Sequence, residues 1–213
     1  FFSVFCILIV VNGYNFIDGV NTSLIGYCLI ISSSLYYLNL NNIDISQIIN
    51  FYNFIPILLA LLILNFFNKL YLGDGGAYFL GLLFALCLIN TYQINDNISP
   101  YFIICLLWYP AFENLFSILR KFLILRSPLK PDTYHLHQII YLYLKKTFNV
   151  NVVYLNTATG MMINFYNLIS IGIATHFYNN TKIQISIVVF NVIIYVFFYK
   201  KLLLKKKNNV KAS

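Results

Sequence analysis

Residues 52–92 have the sequence YNFIPILLALLILNFF-NKLYLGDGG-AYFLGLLFALCLINTY. Two apolar runs, 52–67 and 77–92, flank a short polar segment in which Asp74 stands among glycines. An α-helix needs about 20 mainly apolar residues to cross a bilayer, and both runs approach that length. The stretch therefore predicts two membrane helices joined by a turn. An ionisable residue at membrane depth is costly and by default indicates a functional site, so Asp74 is the first candidate.

The composition of the chain favours the same class of protein. Of the 213 residues, 60% are hydrophobic and only 9% are charged, whereas a soluble domain has about 25% charged residues. Further apolar runs lie at 1–11, 22–38, 99–117, 160–178 and 183–204. The sequence thus predicts an all-α, polytopic membrane helical bundle in a single domain over 1–213. About seven helices are expected, the first of them truncated.

Basic residues are distributed unevenly among the segments that connect these runs. Thirteen of the 14 lysines and arginines lie in or beside every second segment, and Lys182 alone lies in the other set. This set comprises the segments 12–21, 68–76, 118–159 and 205–213, of which 12–21 itself has no lysine or arginine. Cytoplasmic loops of membrane proteins are rich in these residues, so this set is predicted to be cytoplasmic. The net charge of +8 is explained by membrane topology, and no nucleic-acid partner is expected.

Two polar segments on this predicted cytoplasmic face contain aspartate. Asn12, Asn15 and Asp18 are spaced three apart, which places them along one side of a helix. Their amides offer donors and acceptors to a nucleotide base or sugar, although a polar helix end is the simpler alternative. Carboxylate oxygen suits Mg²⁺, so Asp74 is the candidate metal ligand. An aspartate just before a helix also fits the role of an N-cap.

A long cytoplasmic loop is predicted over 118–159. A helix with a basic side is expected over 113–126, lying at the level of the lipid headgroups. Pro128 and Pro131 should end it, because the residue before a proline avoids the helical conformation. A second helix is predicted over 133–148.

The loop also carries the third polar segment, which contains Arg126, His135 and His137. Two residues apart on a helix, the histidine side chains would diverge, so an extended segment or turn is predicted there. Histidine and arginine side chains can donate hydrogen bonds to phosphate oxygens. Simple packing at the surface is the alternative, and a zinc site is disfavoured because no third ligand is near.

Together the three segments resemble the polyprenyl-phosphate N-acetylhexosamine-1-phosphate transferase family, glycosyltransferase family 4. Residues 12–19, NGYNFIDG, resemble the family motif Asn-x-x-Asn-x-x-Asp-Gly, and residues 72–77, LGDGGA, resemble Met-Gly-Asp-x-Gly-Ser. Residues 126–137, RSPLKPDTYHLH, resemble the His-x-His loop of the undecaprenyl-phosphate GlcNAc-1-phosphate transferase branch. The phospho-N-acetylmuramoyl-pentapeptide transferase branch has a different, histidine-rich sequence there.

This resemblance implies transfer of a HexNAc-1-phosphate, in the first place GlcNAc-1-phosphate, from a UDP-N-acetylhexosamine to polyprenyl (undecaprenyl) phosphate. UMP would leave, and the product would serve cell-surface glycan synthesis at a bacterial inner membrane. The implied catalytic residues are Asp74 and Asp18, with Asp74 holding Mg²⁺ or alternatively Mn²⁺. The implied substrate-binding residues are Asn12, Asn15, Arg126, His135 and His137. Assembly into a homodimer is left open.

The chain departs from the resembled family at several positions. Asn21 replaces a second aspartate, Ala77 replaces serine and Gln138 replaces a further histidine. The family also carries an adjacent Asp-Asp pair upstream of its first motif, and this chain has none. The chain is therefore expected to be a C-terminal portion that is inactive alone. The alternatives are a muramoyl-pentapeptide transferase-like enzyme and a degenerate paralogue that binds UDP-sugar or lipid without turnover.

Overall fold

The computed structural model describes residues 2–45, 48, 50–123, 134–148 and 150–210. Within these residues the chain forms eight α-helices and no β-strand. The helices are α1 (Phe2–Ile17), α2 (Ser23–Leu40), α3 (Phe51–Phe66), α4 (Gly73–Gln93), α5 (Pro100–Leu123), α6 (Leu136–Thr147), α7 (Val152–His176) and α8 (Thr181–Val210). The predicted all-α polytopic membrane bundle is confirmed, and α6 corresponds to the helix predicted over 133–148.

Four of these helices are long and apolar enough to cross a membrane, namely α2, α4, α5 and the part of α8 from Thr181 to Lys205. The apolar helices α1 and α3 are shorter. Helix α7 has 25 residues but carries buried polar side chains such as Asn167 and Thr159, which lower its hydropathy and face the bundle.

Three predicted boundaries were wrong. Helix α1 continues to Ile17 and so includes Asn12 and Asn15, which had been assigned to a connecting segment. Helix α5 runs without a break to Leu123, so residues 113–123 continue a spanning helix and do not form a separate interfacial one. Helix α7 begins at Val152, because the Asn151 side chain accepts a hydrogen bond from the Val153 N–H at 3.0 Å and caps it. Much of the predicted loop 118–159 is therefore helical.

Helix α1 lies between α4 and α5, and its packing on α5 requires a glycine. A Cβ atom at Gly13 would stand 2.1 Å from the Pro110 carbonyl oxygen, so only glycine allows this approach. Pro110 lacks an N–H, which leaves the Leu106 carbonyl of α5 without its helical donor. The Tyr27 hydroxyl of α2 donates to that carbonyl at 2.9 Å. A side chain from a neighbouring helix thus completes the interrupted hydrogen-bond ladder of α5.

Replacing Tyr27 with phenylalanine should therefore lower the free energy of unfolding by about 1–3 kcal/mol, because a buried carbonyl loses its donor. Thermal unfolding of the purified protein in detergent checks this. The matched control is Tyr37→Phe on the same helix, where the side chain is exposed and the change should be small. Equal shifts for the two variants would contradict the role of the Tyr27 hydroxyl.

Candidate functional site

The first predicted site segment lies on the last turns of α1 and faces the beginning of α4. The Asn15 amide donates to the Tyr78 hydroxyl of α4 at 2.9 Å. The Asn12 amide donates to the Leu8 carbonyl of its own helix at 2.8 Å, and the Asn12 side chain is exposed. The two asparagines therefore differ, since only Asn15 is tied to the helix that carries Asp74.

Asp18 and Asp74, from the first two motifs, are near enough for the charge of Asp74 to act on Asp18. Asp18 lies in the turn that follows α1, and Asp74 lies in the first turn of α4. Burial raises the pKa of Asp18 from its ordinary value to about 7, and the negative charge of Asp74 adds to this effect. Gly73 has φ +64°, a left-handed conformation that glycine adopts readily, and it turns the chain into α4. The residue at the N-cap position is Leu72, so the N-cap interpretation of Asp74 is wrong.

The two carboxylates fit a divalent cation. Among the residues that the structure describes, neither has a hydrogen-bond or ion-pair partner, and no group of three His, Cys, Asp or Glu side chains forms a ready-made cage. Mg²⁺ is commonly held by one or two protein carboxylates together with substrate phosphates and water. The negative charge of one carboxylate disfavours ionisation of the other, and a bound divalent cation would remove that repulsion.

His135 and His137 lie together at the start of α6, and the prediction that they occupy an extended segment holds for the first only. His135 has an extended backbone (φ −71°, ψ 149°) and precedes the helix, whereas His137 belongs to it. Because the backbone changes conformation between them, the rings do not diverge. They stack at 5.7 Å between centroids with 9° between planes.

The His137 ring also joins the third motif to the first. A Cβ atom built on Gly19 would lie 2.2 Å from His137 Nε2, so the imidazole packs directly against the residue that follows Asp18. Burial lowers the pKa of His137 to about 4, and the nearby Glu113 charge opposes this shift while His135 adds to it. His137 is therefore neutral at physiological pH.

These two pKa shifts have opposite consequences for stability between about pH 4 and 7. The folded state favours the protonated form of Asp18. The stability that this protonation contributes is therefore lost as pH rises through about 7. The folded state favours the neutral form of His137, so the stability that it contributes is lost as pH falls towards about 4.

The metal-free Asp18→Asn variant keeps only the effect of His137. Its unfolding temperature in EDTA should fall by several degrees from pH 7 to 4.5, more steeply than that of the unmodified protein, and parallel profiles would contradict the assignment.

Glu113 is a site residue whose role was missed in the sequence. Its fully buried carboxylate accepts hydrogen bonds from His135 Nδ1 at 2.9 Å, the Leu136 N–H at 3.2 Å and the Tyr195 hydroxyl at 2.7 Å. A carboxylate that accepts from one ring nitrogen fixes the orientation and tautomer of an imidazole. The signal was a lone acid inside the apolar run of the fifth helix, which is costly unless it has partners.

Arg120 holds the residue before this histidine pair. Its guanidinium donates to the Tyr134 carbonyl at 2.7 Å and to the Tyr199 hydroxyl at 3.2 Å. The chain entering α6 is thereby fastened to α5 and α8. Arg126, the other predicted phosphate-binding residue, lies outside the described residues, and its role stays a prediction.

With both aspartates and the histidine pair located, the chain can be compared with known proteins. Residues 1–92 match the family model Glycosyl transferase family 4. The match covers α1 to α4 and therefore both aspartates, but it ends before Glu113 and the histidines. No curated protein and no solved structure matches the chain.

Within the part that matches Glycosyl transferase family 4, a network of amides connects the turn after α1 to the loop before α4. The Asn21 amide donates to Asn68 Oδ1 at 3.0 Å, and the Tyr71 hydroxyl donates to the same oxygen. The Thr22 N–H donates to Asn65 Oδ1 at 2.5 Å. Thr22 has φ +68°, which is costly for a β-branched residue, so this network holds a strained turn directly after Asp18 and Gly19.

A cleft of about 530 Å³ opens beside this turn. It lies between the turn, the loop before α4, α6 and the start of α7, and Gly19 forms part of its wall. Its polar and aromatic lining includes Asn68, Tyr71, Gln138 and Asn156. Gln138, noted in the sequence only as a departure, thus lines a cleft next to the aspartate-bearing turn.

Proposed function

We propose that the protein transfers a HexNAc-1-phosphate, in the first place GlcNAc-1-phosphate, from a UDP-sugar to a polyprenyl phosphate. The observation that carries this proposal is the packing of His137 against Gly19, next to Asp18 and within the electrostatic reach of Asp74, in a chain whose residues 1–92 match Glycosyl transferase family 4. Paired carboxylates, neutral imidazole and a membrane bundle are the components that joining a phosphosugar to a lipid phosphate requires.

The reaction forms a bond between an oxygen of the polyprenyl phosphate and the sugar-bearing phosphorus of the UDP-sugar. The bond from that phosphorus to the bridging oxygen breaks, and UMP leaves with the electron pair. Both reactants are anions, so catalysis depends on positioning them and neutralising their charge. Mg²⁺, or Mn²⁺ in its place, would be held by Asp74 with Asp18 and would supply that neutralisation on the diphosphate.

The histidine pair would bind phosphate or sugar next to these carboxylates. His137 is neutral, so its ring N–H can donate a hydrogen bond to substrate without repelling the cation. Glu113 orients His135 through the Nδ1 contact. In the same proposal Arg126 contributes a charge-assisted hydrogen bond to phosphate, and Asn12 and Asn15 bind substrate on the α1 side.

The uridine would occupy the cleft beside Gly19. The oxygens of Asn68 and Gln138 already accept hydrogen bonds within the protein, so their amide N–H groups would donate to the carbonyl oxygens of a uracil ring. Tyr71 offers an aromatic surface for the base. The volume of about 530 Å³ falls within the range of small-molecule sites.

We further propose that the protein resides in a bacterial inner membrane with this site on the cytoplasmic face. The strong bias of lysine and arginine to one set of connecting segments supports that orientation. The lipid acceptor would reach the site from the bilayer, and UDP-sugar would reach it from the cytoplasm.

The test uses membranes from cells that express the full reading frame containing this chain. UDP-GlcNAc and undecaprenyl phosphate are supplied, and UMP release is followed with and without Mg²⁺. We expect Mg²⁺-dependent release that requires the lipid phosphate. UDP-GalNAc and UDP-N-acetylmuramoyl-pentapeptide determine the sugar specificity. A protein that shows a cooperative thermal unfolding transition but releases no UMP with any of these donors would contradict the transferase proposal and favour a binding-only paralogue.

A further inference from the structure

A partly open apolar chamber of about 330 Å³ lies beneath α6 and is bordered by α5, α7 and α8. Helix α6 contributes Leu136, Ile140 and Tyr143 to its lining, and the opposite wall includes Ile194 and Phe198 of α8. Protein interiors contain few voids larger than a water molecule, because atoms lining a void lose dispersion contacts. A chamber of this size, open towards the bilayer through half-exposed Phe198, is suited to an apolar chain.

Lys205 contacts Tyr143 at the rim of this chamber, and Lys201 lies one helical turn before it on α8. Lys205 Nζ lies 4.8 Å from the centroid of the Tyr143 ring and 3.4 Å from its hydroxyl. The Lys205 hydrogen bond and charge lower the pKa of Tyr143, and the charge of Lys201, whose Nζ lies 5.7 Å from the centroid of the Phe197 ring, adds to the effect. Within the described part of the chain neither lysine has a carboxylate partner.

We propose that the chamber and its lysine rim bind an anionic phospholipid of the surrounding membrane. One acyl chain fills the chamber beneath α6, and the headgroup phosphate lies at Lys205 and Lys201. Anionic lipids attract lysines at the membrane surface by about 1 kcal/mol each. An apolar volume beside lysines that have no carboxylate partner among the described residues matches a lipid with a charged head and disfavours free phosphate as the principal ligand.

The position of the chamber distinguishes this lipid from the acceptor of the proposed reaction. Asp18 follows α1 and Asp74 begins α4, whereas the chamber is lined only by residues of α5 to α8. The headgroup would therefore lie at the end of α8, bound to lysines that take no part in the aspartate pair.

Occupancy of the chamber would stabilise the helix that begins at the histidine pair. Leu136 lines the chamber, and its N–H donates to Glu113. A lipid that fills the space under α6 thus restrains the segment that places His135 and His137. This consequence rests on the proposed function, whereas the binding itself does not.

The experiment measures thermal unfolding and bound lipid for the full-length protein in detergent. Phosphatidylglycerol and phosphatidylcholine with identical acyl chains are titrated in parallel, and native mass spectrometry counts retained lipids. We expect phosphatidylglycerol to raise the unfolding temperature by several degrees and phosphatidylcholine to have little effect. Lys205→Gln should weaken the apparent affinity for phosphatidylglycerol about fivefold.

Two further variants make the test specific. Ile194→Trp should fill the chamber, raise the unfolding temperature without lipid and remove the response to phosphatidylglycerol. Lys200→Gln is the matched charge control, because Lys200 is exposed at the same end of α8 and, within the described residues, does not share the hydrogen bond and ring contact that Lys205 makes with Tyr143.

Equal effects of Lys200→Gln and Lys205→Gln, or of the two phospholipids, would overturn the proposal. A response to undecaprenyl phosphate alone would overturn it in favour of the acceptor lipid. Because no step measures turnover, failure here leaves the transferase proposal separately testable.

Discussion

Replacing Asp74 with asparagine is expected to reduce Mg²⁺-dependent UMP release at least about a hundredfold. The substitution removes the carboxylate at the start of α4 whose charge acts on Asp18, while the side chain keeps its size. Charge stabilisation by a bound metal is worth several kcal/mol, and each 1.4 kcal/mol is about a tenfold change in rate. The fold should tolerate the change, because the Asp74 carboxylate has no hydrogen-bond partner among the described residues.

The control for this variant is Asp96→Asn, the same chemical change at an exposed aspartate between α4 and α5. Binding of Mn²⁺, followed by its paramagnetic resonance signal, reports on the metal independently of turnover. We expect weaker Mn²⁺ binding for Asp74→Asn and unchanged binding for Asp96→Asn. Full activity of Asp74→Asn would refute the metal role, and loss of activity with unchanged Mn²⁺ binding would reassign Asp74 to the substrate.

Replacing Glu113 with alanine is expected to destabilise the protein by about 3–5 kcal/mol. The carboxylate is fully buried, and its removal leaves the Leu136 N–H, the His135 ring and the Tyr195 hydroxyl without their acceptor. Glu113→Gln preserves the shape and one acceptor, so it should fold with a smaller loss. It should nevertheless lower UMP release, since the amide no longer supplies a carboxylate to His135.

Thermal unfolding and UMP release together separate these effects. Tyr195→Phe removes only the donor to Oε2, so it should cost about 1 kcal/mol and leave most of the activity. A double variant, Glu113→Gln with His135→Gln, should be no less active than His135→Gln alone, because the two residues act through one contact. Additive losses in activity would show that Glu113 acts independently of His135.

Much of the bundle could be predicted from hydropathy because membrane crossing imposes a minimum length on apolar runs. What hydropathy could not supply was the end of each helix. Helix α1 extends through Asn12 and Asn15 because its polar turns still pack against α4 and α5, and tertiary contacts decide such ends. Helix α7 begins early because Asn151 caps it, a local interaction that an average over apolar residues does not detect.

Some residues of the candidate site could be predicted from the sequence, and others could not. Asp18 and Asp74 were predictable because each is a costly acid at a helix end among glycines. The role of Glu113 was not predictable in the same way, because its partners His135 and Tyr195 are distant in sequence. The stacking of His135 on His137 was also beyond prediction, since it depends on a helix that begins between them.

The contact between Tyr27 and the Leu106 carbonyl couples substitutions at residues 27 and 110, which are far apart in the chain. A hydroxyl in that place is useful only while residue 110 lacks an N–H. If residue 110 reverted to one with an N–H, the helix would complete its own bond and the hydroxyl would become a buried surplus. If Tyr27 were replaced first, Pro110 would leave the buried Leu106 carbonyl without a hydrogen-bond donor. We therefore expect lineages of this protein to gain or lose Tyr27 and Pro110 together, with Gly13 constrained by the same crossing.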